Sequence, residues 1–252
     1  MFSIFKKNKK INVNFAAFLG QDMHSHILPG IDDGAPDTDT SIALIRGMMS
    51  AGIKNFIGTP HIMADIHRNT RETITAAYDK LQKALIANNM NINVKFAAEY
   101  MIDEGFPDHL KAGNLLTVFD NKILVETPFY HEPIDIEDVL FQIETAGYQA
   151  ILAHPERYHF IDDKLKVLDK YLDRDIALQL NILSLSGYYG SREKEVANRL
   201  LDAGLYRFVG SDLHHGRHLN RITNMVLDRK VVDKLEKLAW ENQQIRDFVP
   251  SV

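Results

Sequence analysis

Nine side chains that are good metal ligands stand at or just after the ends of short apolar runs spread over most of the chain. They are His24, His26, Asp33, His61, Glu99, Glu126, His154, Asp212 and His214. Each run is typical of a β-strand, and strand ends that are distant in sequence meet only when the strands lie side by side and point the same way. The sequence therefore predicts a parallel sheet whose C-terminal edge gathers imidazoles and carboxylates into a multinuclear metal site.

Strand and helix signals alternate from residue 21 onward, which favours an α/β fold with right-handed crossovers between parallel strands. The predicted strands span residues 21–25, 53–59, 94–98, 123–126, 149–153, 176–181 and 206–210. The predicted helices span residues 39–51, 69–87, 136–146, 163–173, 192–203, 220–228 and 232–244. Asn69 with Glu72 resembles a capping box at the start of the second of these helices, and Ser191 can cap the fifth. Seven strands with their ligands at one end indicate a distorted seven-stranded (β/α)7 barrel of the TIM type.

We expect a single domain over residues 21–252, preceded by an N-terminal extension at residues 1–20. The extension contains four lysines, which are Lys6, Lys7, Lys9 and Lys10. A polar, solvated tail is the simplest interpretation of this segment. Contact with an acidic partner or an anionic bilayer is the alternative.

Composition excludes several classes of function. With a net charge of -5 over 252 residues, the chain offers no basic surface for nucleic acid. The absence of cysteine excludes disulfides, thiolate zinc sites and a cysteinyl nucleophile. Because neither a signal peptide nor an apolar run long enough to cross a bilayer is visible, we expect a cytoplasmic protein without a transmembrane segment.

The sharpest local motif is the pair His24 and His26 at the end of the first predicted strand. Side chains alternate between the faces of a strand, so these two imidazoles point the same way and can hold one ion. For any single ligand, a hydrogen-bonded polar residue at a strand end is the alternative. Nine converging ligands would repel one another without cations to neutralise them. Metal-assisted hydrolysis is therefore the predicted chemistry.

Six segments in chain order resemble a known family. They are HSHILPGIDDGA (24–35), GTPH (58–61), AE (98–99), VETP (125–128), AHPERY (153–158) and SDLHHGR (211–217). Together they are similar to the polymerase and histidinol phosphatase (PHP) superfamily, and within it to the manganese-dependent bacterial tyrosine-protein phosphatases of the CpsB/CapC type. The resemblance implies the PHP fold, a distorted seven-stranded barrel that agrees with the predicted strand count.

The resemblance also implies the cofactors, the site and the substrate. It implies three divalent ions, with manganese favoured over iron or zinc. The implied ligands are His24, His26, Glu99 and Asp212 for the first ion, Glu99, Glu126 and His154 for the second, and Asp33, His61 and His214 for the third. Arg157 and Arg217 match catalytic arginines that grip the phosphate. The implied partner is a phosphotyrosine-bearing protein, the C-terminal tail of a bacterial tyrosine kinase of capsule or exopolysaccharide biosynthesis.

Two alternative functions stay open. A small-molecule phosphatase of the histidinol-phosphatase kind would use the same metals and fold, and a non-catalytic regulatory module would bind metal without turnover. Phe129, Tyr130, Tyr188 and Tyr189 lie in predicted loops and could flank an aromatic ring of the substrate, with simple packing as the alternative. His215 and His218, beside the last ligands, could contact either the ligands or the substrate. No chemical role is predicted for His67, His109, His131 and His159.

Overall fold

The structure is a computed structural model that describes residues 9–161 and 164–247. The strands are β1 Lys10–Asn12, β2 Asp22–Ser25, β3 Asn55–Gly58, β4 His61–Ile62, β5 Asn93–Phe96, β6 Glu99–Met101, β7 Lys122–Glu126, β8 Gln149–Ala153, β9 Ala177–Asn181, β10 Tyr206–Gly210 and β11 Val226–Asp228. The helices are α1 Ala16–Leu19, α2 Thr38–Ser50, α3 Arg71–Ala87, α4 Phe106–Ala112, α5 Ile136–Thr145, α6 Asp169–Leu172, α7 Ile182–Leu185, α8 Ser191–Asp202, α9 Gly216–Thr223 and α10 Arg229–Leu235. Within the described residues, no helix combines the length and the apolar character needed to cross a membrane.

Parallel strands form two sheets, and the strands of both sheets point in the same direction. The larger sheet has the order β10-β9-β8-β7-β6-β4, and the smaller one has the order β2-β3-β5. On one side a backbone hydrogen bond joins the sheets, from Asp212 N–H after β10 to the His24 carbonyl of β2 (2.9 Å). On the other side β3 and β5 of the smaller sheet lead along the chain into β4 and β6 of the larger sheet. The predicted α/β fold with parallel strands is confirmed, and its C-terminal strand ends share one edge.

Two of the predicted strands are each divided in two. The run 53–59 forms β3 and the chain resumes as β4 after Pro60, a residue that has no backbone N–H to donate. The run 94–98 forms β5, and the chain resumes as β6 at Glu99. His61 and Glu99 therefore begin short strands instead of following the ends of longer ones. The two residues are direct neighbours in the β4–β6 ladder, which places both ligands side by side.

The helix that follows β4 is capped by other residues than predicted. Asn69 with Glu72 was the expected pair, but Thr70 is the N-cap residue of α3, and its side chain accepts a bond from Thr73 N–H. The Thr73 hydroxyl accepts one from Thr70 N–H in return. The prediction of a capping box was correct, and its register was wrong by one residue.

Other predicted helices differ at their ends. Ser191 was expected to cap α8 but is its first residue, after Gly190 at the N-cap. The predicted helix 163–173 is reduced to Asp169–Leu172, and residue 163 lies outside the described residues. The predicted helix 232–244 is divided between α10 and a 3-10 turn at Glu241–Asp247.

The predicted helix 220–228 is wrong over its second half. The helix α9 ends at Thr223, and the following residues form β11, which pairs antiparallel with β1. Each strand supplies the backbone donors and acceptors that the other would leave unpaired. This contact between distant segments overrides the local helical pattern.

Residues 10–19 pack on the domain. Lys10 is the first residue of β1, and Phe15, Phe18 and Leu19 are buried in the hydrophobic core. The interpretation of this segment as a solvated tail is therefore wrong from residue 10 onward. Lys6 and Lys7 lie outside the described residues, and the domain boundary between residues 20 and 21 stays a prediction.

Helices cover the sheets and leave the ligand edge open. The helix α2 buries Ile42 and Ile45, and α8 buries Val196 and Leu200, at spacings that place each pair on one helical face. Buried strands packed in this way are rigid, because close-packed interiors resist displacement. The side chains at the C-terminal strand ends therefore stand on a fixed support.

Candidate metal centre

The structure brings all nine predicted ligands together at the C-terminal strand ends. Their nitrogen and oxygen atoms form four groups, and within each group the atoms lie within 4.8 Å of one another. The groups are His26 with Asp33, His61 and His214; His24 with Glu99 and His154; His24 with His26 and Asp212; and His61 with Glu99 and Glu126. Every predicted ligand belongs to at least one group, so the strands place the residues as the metal-site hypothesis requires.

Three buried ligand atoms face one another without a hydrogen bond. His61 Nδ1 lies 2.9 Å from Glu126 Oε1 and 3.2 Å from Glu99 Oε2. None of the three atoms has a hydrogen-bond partner in the described part of the chain. Buried polar atoms are expensive to leave unpaired, and a cation at their point of convergence would satisfy all three. The donor set of imidazole and carboxylate therefore fits a divalent ion of the manganese, iron or zinc kind.

His24 in β2 and His26 directly after it are oriented by two residues that are not among the nine predicted ligands. His24 Nδ1 lies 2.8 Å from Gln179 Oε1, and His26 Nδ1 lies 2.8 Å from Asp32 Oδ2. An Nδ1–H donated to these acceptors leaves both Nε2 atoms free to bind a metal. The two Nε2 atoms are 3.3 Å apart and lie 3.5 Å and 3.4 Å from Asp212 Oδ1. Sequence analysis missed Gln179, although a glutamine inside an apolar strand was an available signal.

Asp33 forms the solvent-exposed side of the centre. Its Oδ1 lies 3.5 Å from His61 Nε2 and 3.4 Å from His214 Nε2, and its side chain is 60% exposed. The side chains of Glu99 and Glu126 are buried below it. The centre therefore has a closed floor and an open side through which ions and substrate can enter.

Opposite charges set the protonation of the centre. Burial alone would lower the pKa of His24, but the carboxylates of Glu99 and Asp212 raise it to about 9. Burial would raise the pKa of Glu99, but the imidazoles of His24 and His61 hold it well below its usual range. Protons on the imidazoles and metal ions compete for the same atoms, so metal affinity should increase as the pH rises.

Arg157 is held beside the ligands by contacts on three sides. Its Nη1 donates to Asp212 Oδ2 (2.8 Å), and its guanidinium lies 4.7 Å from the ring centre of Phe129 and 4.3 Å from that of Tyr189. A guanidinium fixed in this way can donate to an anion in the adjacent cavity with little loss of side-chain freedom. Arg217, the other predicted arginine, is exposed in the first turn of α9 and is absent from the described residues that line the cavity.

A buried carboxylate anchors the turn that positions Arg157. Glu156 is fully buried and accepts hydrogen bonds from Asn181 N–H (2.9 Å), Ser184 Oγ (2.8 Å) and Tyr206 Oη (2.9 Å). Burial raises the pKa of Glu156, while its own backbone N–H, the nearby His154 and the hydroxyls of Ser184 and Tyr206 act in the opposite direction. The turn Pro155–Arg157 is therefore tied to β9, α7 and β10, a role that the sequence did not reveal.

Replacing Glu156 with alanine should destabilise the protein strongly. The change leaves the donors of Asn181, Ser184 and Tyr206 buried without an acceptor, and we expect the free energy of unfolding to fall by about 3 kcal/mol. Glu195→Ala is the control, since this exposed pair with Arg199 on α8 contributes less than about 0.5 kcal/mol. Urea unfolding of both variants measures the difference, and equal stabilities would show that the anchor is unimportant.

Six of the nine predicted ligands line a cavity of about 340 Å³ together with further histidines and aromatic residues. The six are Asp33, His61, Glu126, His154, Asp212 and His214. His67, for which no role was predicted, lines it and stacks on His61 with ring centres 5.5 Å apart. His215 and His218 line it as well, close to the last two ligands. The sequence therefore underestimated the histidine content of the cavity.

The four aromatic residues considered for ring binding have different positions. Phe129 and Tyr189 line the cavity but each contacts the guanidinium of Arg157. Tyr188 packs edge-on against a histidine ring, and Tyr130 is 69% exposed and stacks on His159. Binding of a substrate ring by these residues stays a prediction.

Comparisons with known proteins agree with this geometry. The family model described as "Capsular polysaccharide synthesis, CpsB/CapC" matches residues 20–245. Tyrosine-protein phosphatase YwqE of Bacillus subtilis (strain 168) is 33% identical over 228 residues, which cover 89% of this chain and 90% of the relative. Tyrosine-protein phosphatase CpsB of Streptococcus pneumoniae is 25% identical over 202 residues, which cover 77% of this chain and 82% of the relative.

A solved structure is similar over nearly the whole chain. It comes from the crystal structures of YwqE from Bacillus subtilis and CpsB from Streptococcus pneumoniae, described as unique metal-dependent tyrosine phosphatases. The TM-score is 0.78 at 29% sequence identity, with 91% of this chain and 96% of the other chain covered. The fold is therefore that of a known group of proteins.

Proposed function

The chain belongs to the CpsB/CapC family of capsular polysaccharide synthesis, and from this premise we propose that it is a metal-dependent protein-tyrosine phosphatase. The observation that supports this most strongly is the convergence of unpartnered ligand atoms from His61, Glu99 and Glu126 beside a fixed arginine. Cations at the floor and a guanidinium at the wall suit a phosphate group, which presents several negative oxygens at once.

We propose three manganese ions in this centre. The ligand sets implied by the resemblance use all nine residues, and the two ring nitrogens of His61 face different carboxylates, with Nε2 toward Asp33 and Nδ1 toward Glu126. Bound divalent ions supply Lewis acidity toward phosphoryl oxygens and activate water as a nucleophile. Gln179 and Asp32 keep the Nε2 atoms of the β2 histidines directed at the ions.

The protein's own contribution to the phosphate is centred on Arg157. Its guanidinium donates charge-assisted hydrogen bonds to phosphoryl oxygens, and these bonds strengthen as negative charge accumulates on the oxygens in the transition state. The rings of Phe129 and Tyr189 lie against the guanidinium, and Asp212 accepts a hydrogen bond from its Nη1. Arg217 is proposed as a second phosphate contact that reaches the substrate from the rim.

Hydrolysis of a phosphotyrosine peptide should depend on metal and be independent of thiols. We expect turnover with manganese, loss of turnover with a chelator, and recovery when manganese is returned in excess. Iodoacetamide should have no effect, because the chain contains no cysteine. Histidinol phosphate serves as the comparison substrate for the small-molecule alternative. Activity that survives complete chelation, or a strong preference for histidinol phosphate, would contradict the proposal.

We further propose the finer features that the resemblance implies. The two sheets close into a distorted seven-unit barrel, supported by the backbone hydrogen bonds between β2 and the end of β10. The substrate is the phosphotyrosine-bearing C-terminal tail of a bacterial tyrosine kinase of capsule or exopolysaccharide biosynthesis, in the cytoplasm. The description of the family supports the capsule context.

A further inference from the structure

Ile66 stands at the mouth of the cavity although its side chain is apolar. It lines the cavity and is 75% exposed, and the half-buried Met63 lines the same side from the start of the same loop. An exposed aliphatic side chain lacks the stabilisation that burial would provide. At the entrance of a cavity that is lined mainly by titratable residues, such a side chain indicates a surface that a ligand covers.

The loop that presents Ile66 is fixed by hydrogen bonds. Met63 N–H and Asn69 N–H both donate to the His67 carbonyl, at 2.9 Å and 2.7 Å. The Asn69 side-chain amide donates to the His61 carbonyl (2.9 Å), and Ala64 N–H donates to an aspartate carboxylate (2.7 Å). Because the loop is tied to the backbone of a metal ligand, Ile66 keeps a constant position relative to the centre.

The two aromatic side chains of the cavity, Phe129 and Tyr189, already contact Arg157. Phe129 and Tyr189, after β7 and β9, each direct a ring face at Arg157. Ile66 follows β4, at the other end of the larger sheet from β9 and β10. Besides Phe129 and Tyr189, the described residues that line the cavity include two aliphatic side chains, Met63 and Ile66. These two therefore provide the apolar surface that no internal contact occupies.

We propose that Met63 and Ile66 form the subsite for the tyrosyl ring and make the centre selective for aryl over alkyl phosphates. The inference rests on the proposed function, since the phosphate must lie at the ligands for the ring to reach the mouth. With the phosphate beside Arg157, the ester oxygen points outward, and the ring it bears lies against the Ile66 side. The side chain of a phosphoserine is too short to reach Met63 and Ile66, so it would gain no apolar contact there.

The test compares binding of two non-hydrolysable peptides to the manganese-loaded protein. One peptide carries an aryl phosphonate in place of phosphotyrosine, and the other carries an alkyl phosphonate at the same position. The wild-type protein should bind the aryl peptide more tightly, and Ile66→Ser should reduce the ratio of the two affinities about tenfold. Ile66→Leu should keep the ratio within about twofold, because it preserves the apolar surface.

Ile86→Ser is the matched control. Ile86 is also 75% exposed, but it lies on α3 and is not among the described cavity residues. This variant should keep the wild-type ratio. A wild-type protein without aryl preference, or an Ile66→Ser variant with an unchanged ratio, would overturn the subsite. Failure of the proposed function is separate, because it appears as absent hydrolysis of phosphotyrosine peptides while the binding ratio is still measured.

Discussion

Replacement of Glu99 with glutamine should remove metal from the centre and lower kcat/KM for a phosphotyrosine peptide at least about a thousandfold. The Glu99 carboxylate is fully buried, and its Oε2 lies 3.1 Å from His24 Nε2, 3.3 Å from His26 Nε2 and 3.2 Å from His61 Nδ1. Its Oε1 lies 3.1 Å from His154 Nε2. A neutral amide at the centre of four imidazoles removes the shared anionic ligand, and metal catalysis contributes several kcal/mol.

Metal content and steady-state kinetics measure this effect together. Glu104→Gln is the control, because Glu104 is an exposed glutamate a few residues along the same segment. The control should retain wild-type metal content and turnover. If the Glu99 variant retained both as well, Glu99 would not be the common ligand of the centre, and the arrangement of the ions would have to be revised.

Replacement of Arg157 with alanine should lower kcat/KM about a hundredfold or more while the metal content stays unchanged. The expected size is that of a preorganised donor to a charge that develops in the transition state. Arg157→Lys should recover only part of the loss, since an ammonium cannot stack between Phe129 and Tyr189 or donate through two nitrogens in one plane. Asp212 keeps its position at the metal ligands in both variants.

The effect of replacing Arg217 on kcat/KM is the comparison for the effect of replacing Arg157. Arg217 is exposed on α9, where solvent screens its charge, so Arg217→Ala should reduce kcat/KM less than about tenfold. An Arg157→Ala variant with wild-type kinetics would remove Arg157 from phosphate binding. A larger loss for Arg217→Ala than for Arg157→Ala would instead place the main phosphate contact at the rim.

The sequence predicted that the nine side chains would lie together, because that prediction depended mainly on strand direction. Seven apolar runs that point the same way must bring their C-terminal ends to one edge, whatever the details of packing. The division of two runs into β3–β4 and β5–β6 did not disturb this result, since His61 and Glu99 still lie side by side.

Features that depend on contacts between distant segments could not be predicted. The pairing of β1 with β11 joins residues 10–12 to residues 226–228, and nothing in either run identifies its partner. The burial of Glu156 depends on contacts with β9, α7 and β10, which lie later in the chain. The place of Ile66 at the mouth of the cavity follows from the course of the loop after β4, which hydrogen bonds fix.

Anomalous diffraction at the manganese edge, from crystals grown with manganese, tests the central claim most directly. We predict three peaks among the nine ligands, each within about 2.3 Å of its nearest nitrogen or oxygen atoms. One of them should lie where His61 Nδ1, Glu99 Oε2 and Glu126 Oε1 converge. A cavity without anomalous peaks, in which the imidazoles only form ion pairs with the carboxylates, would contradict the account.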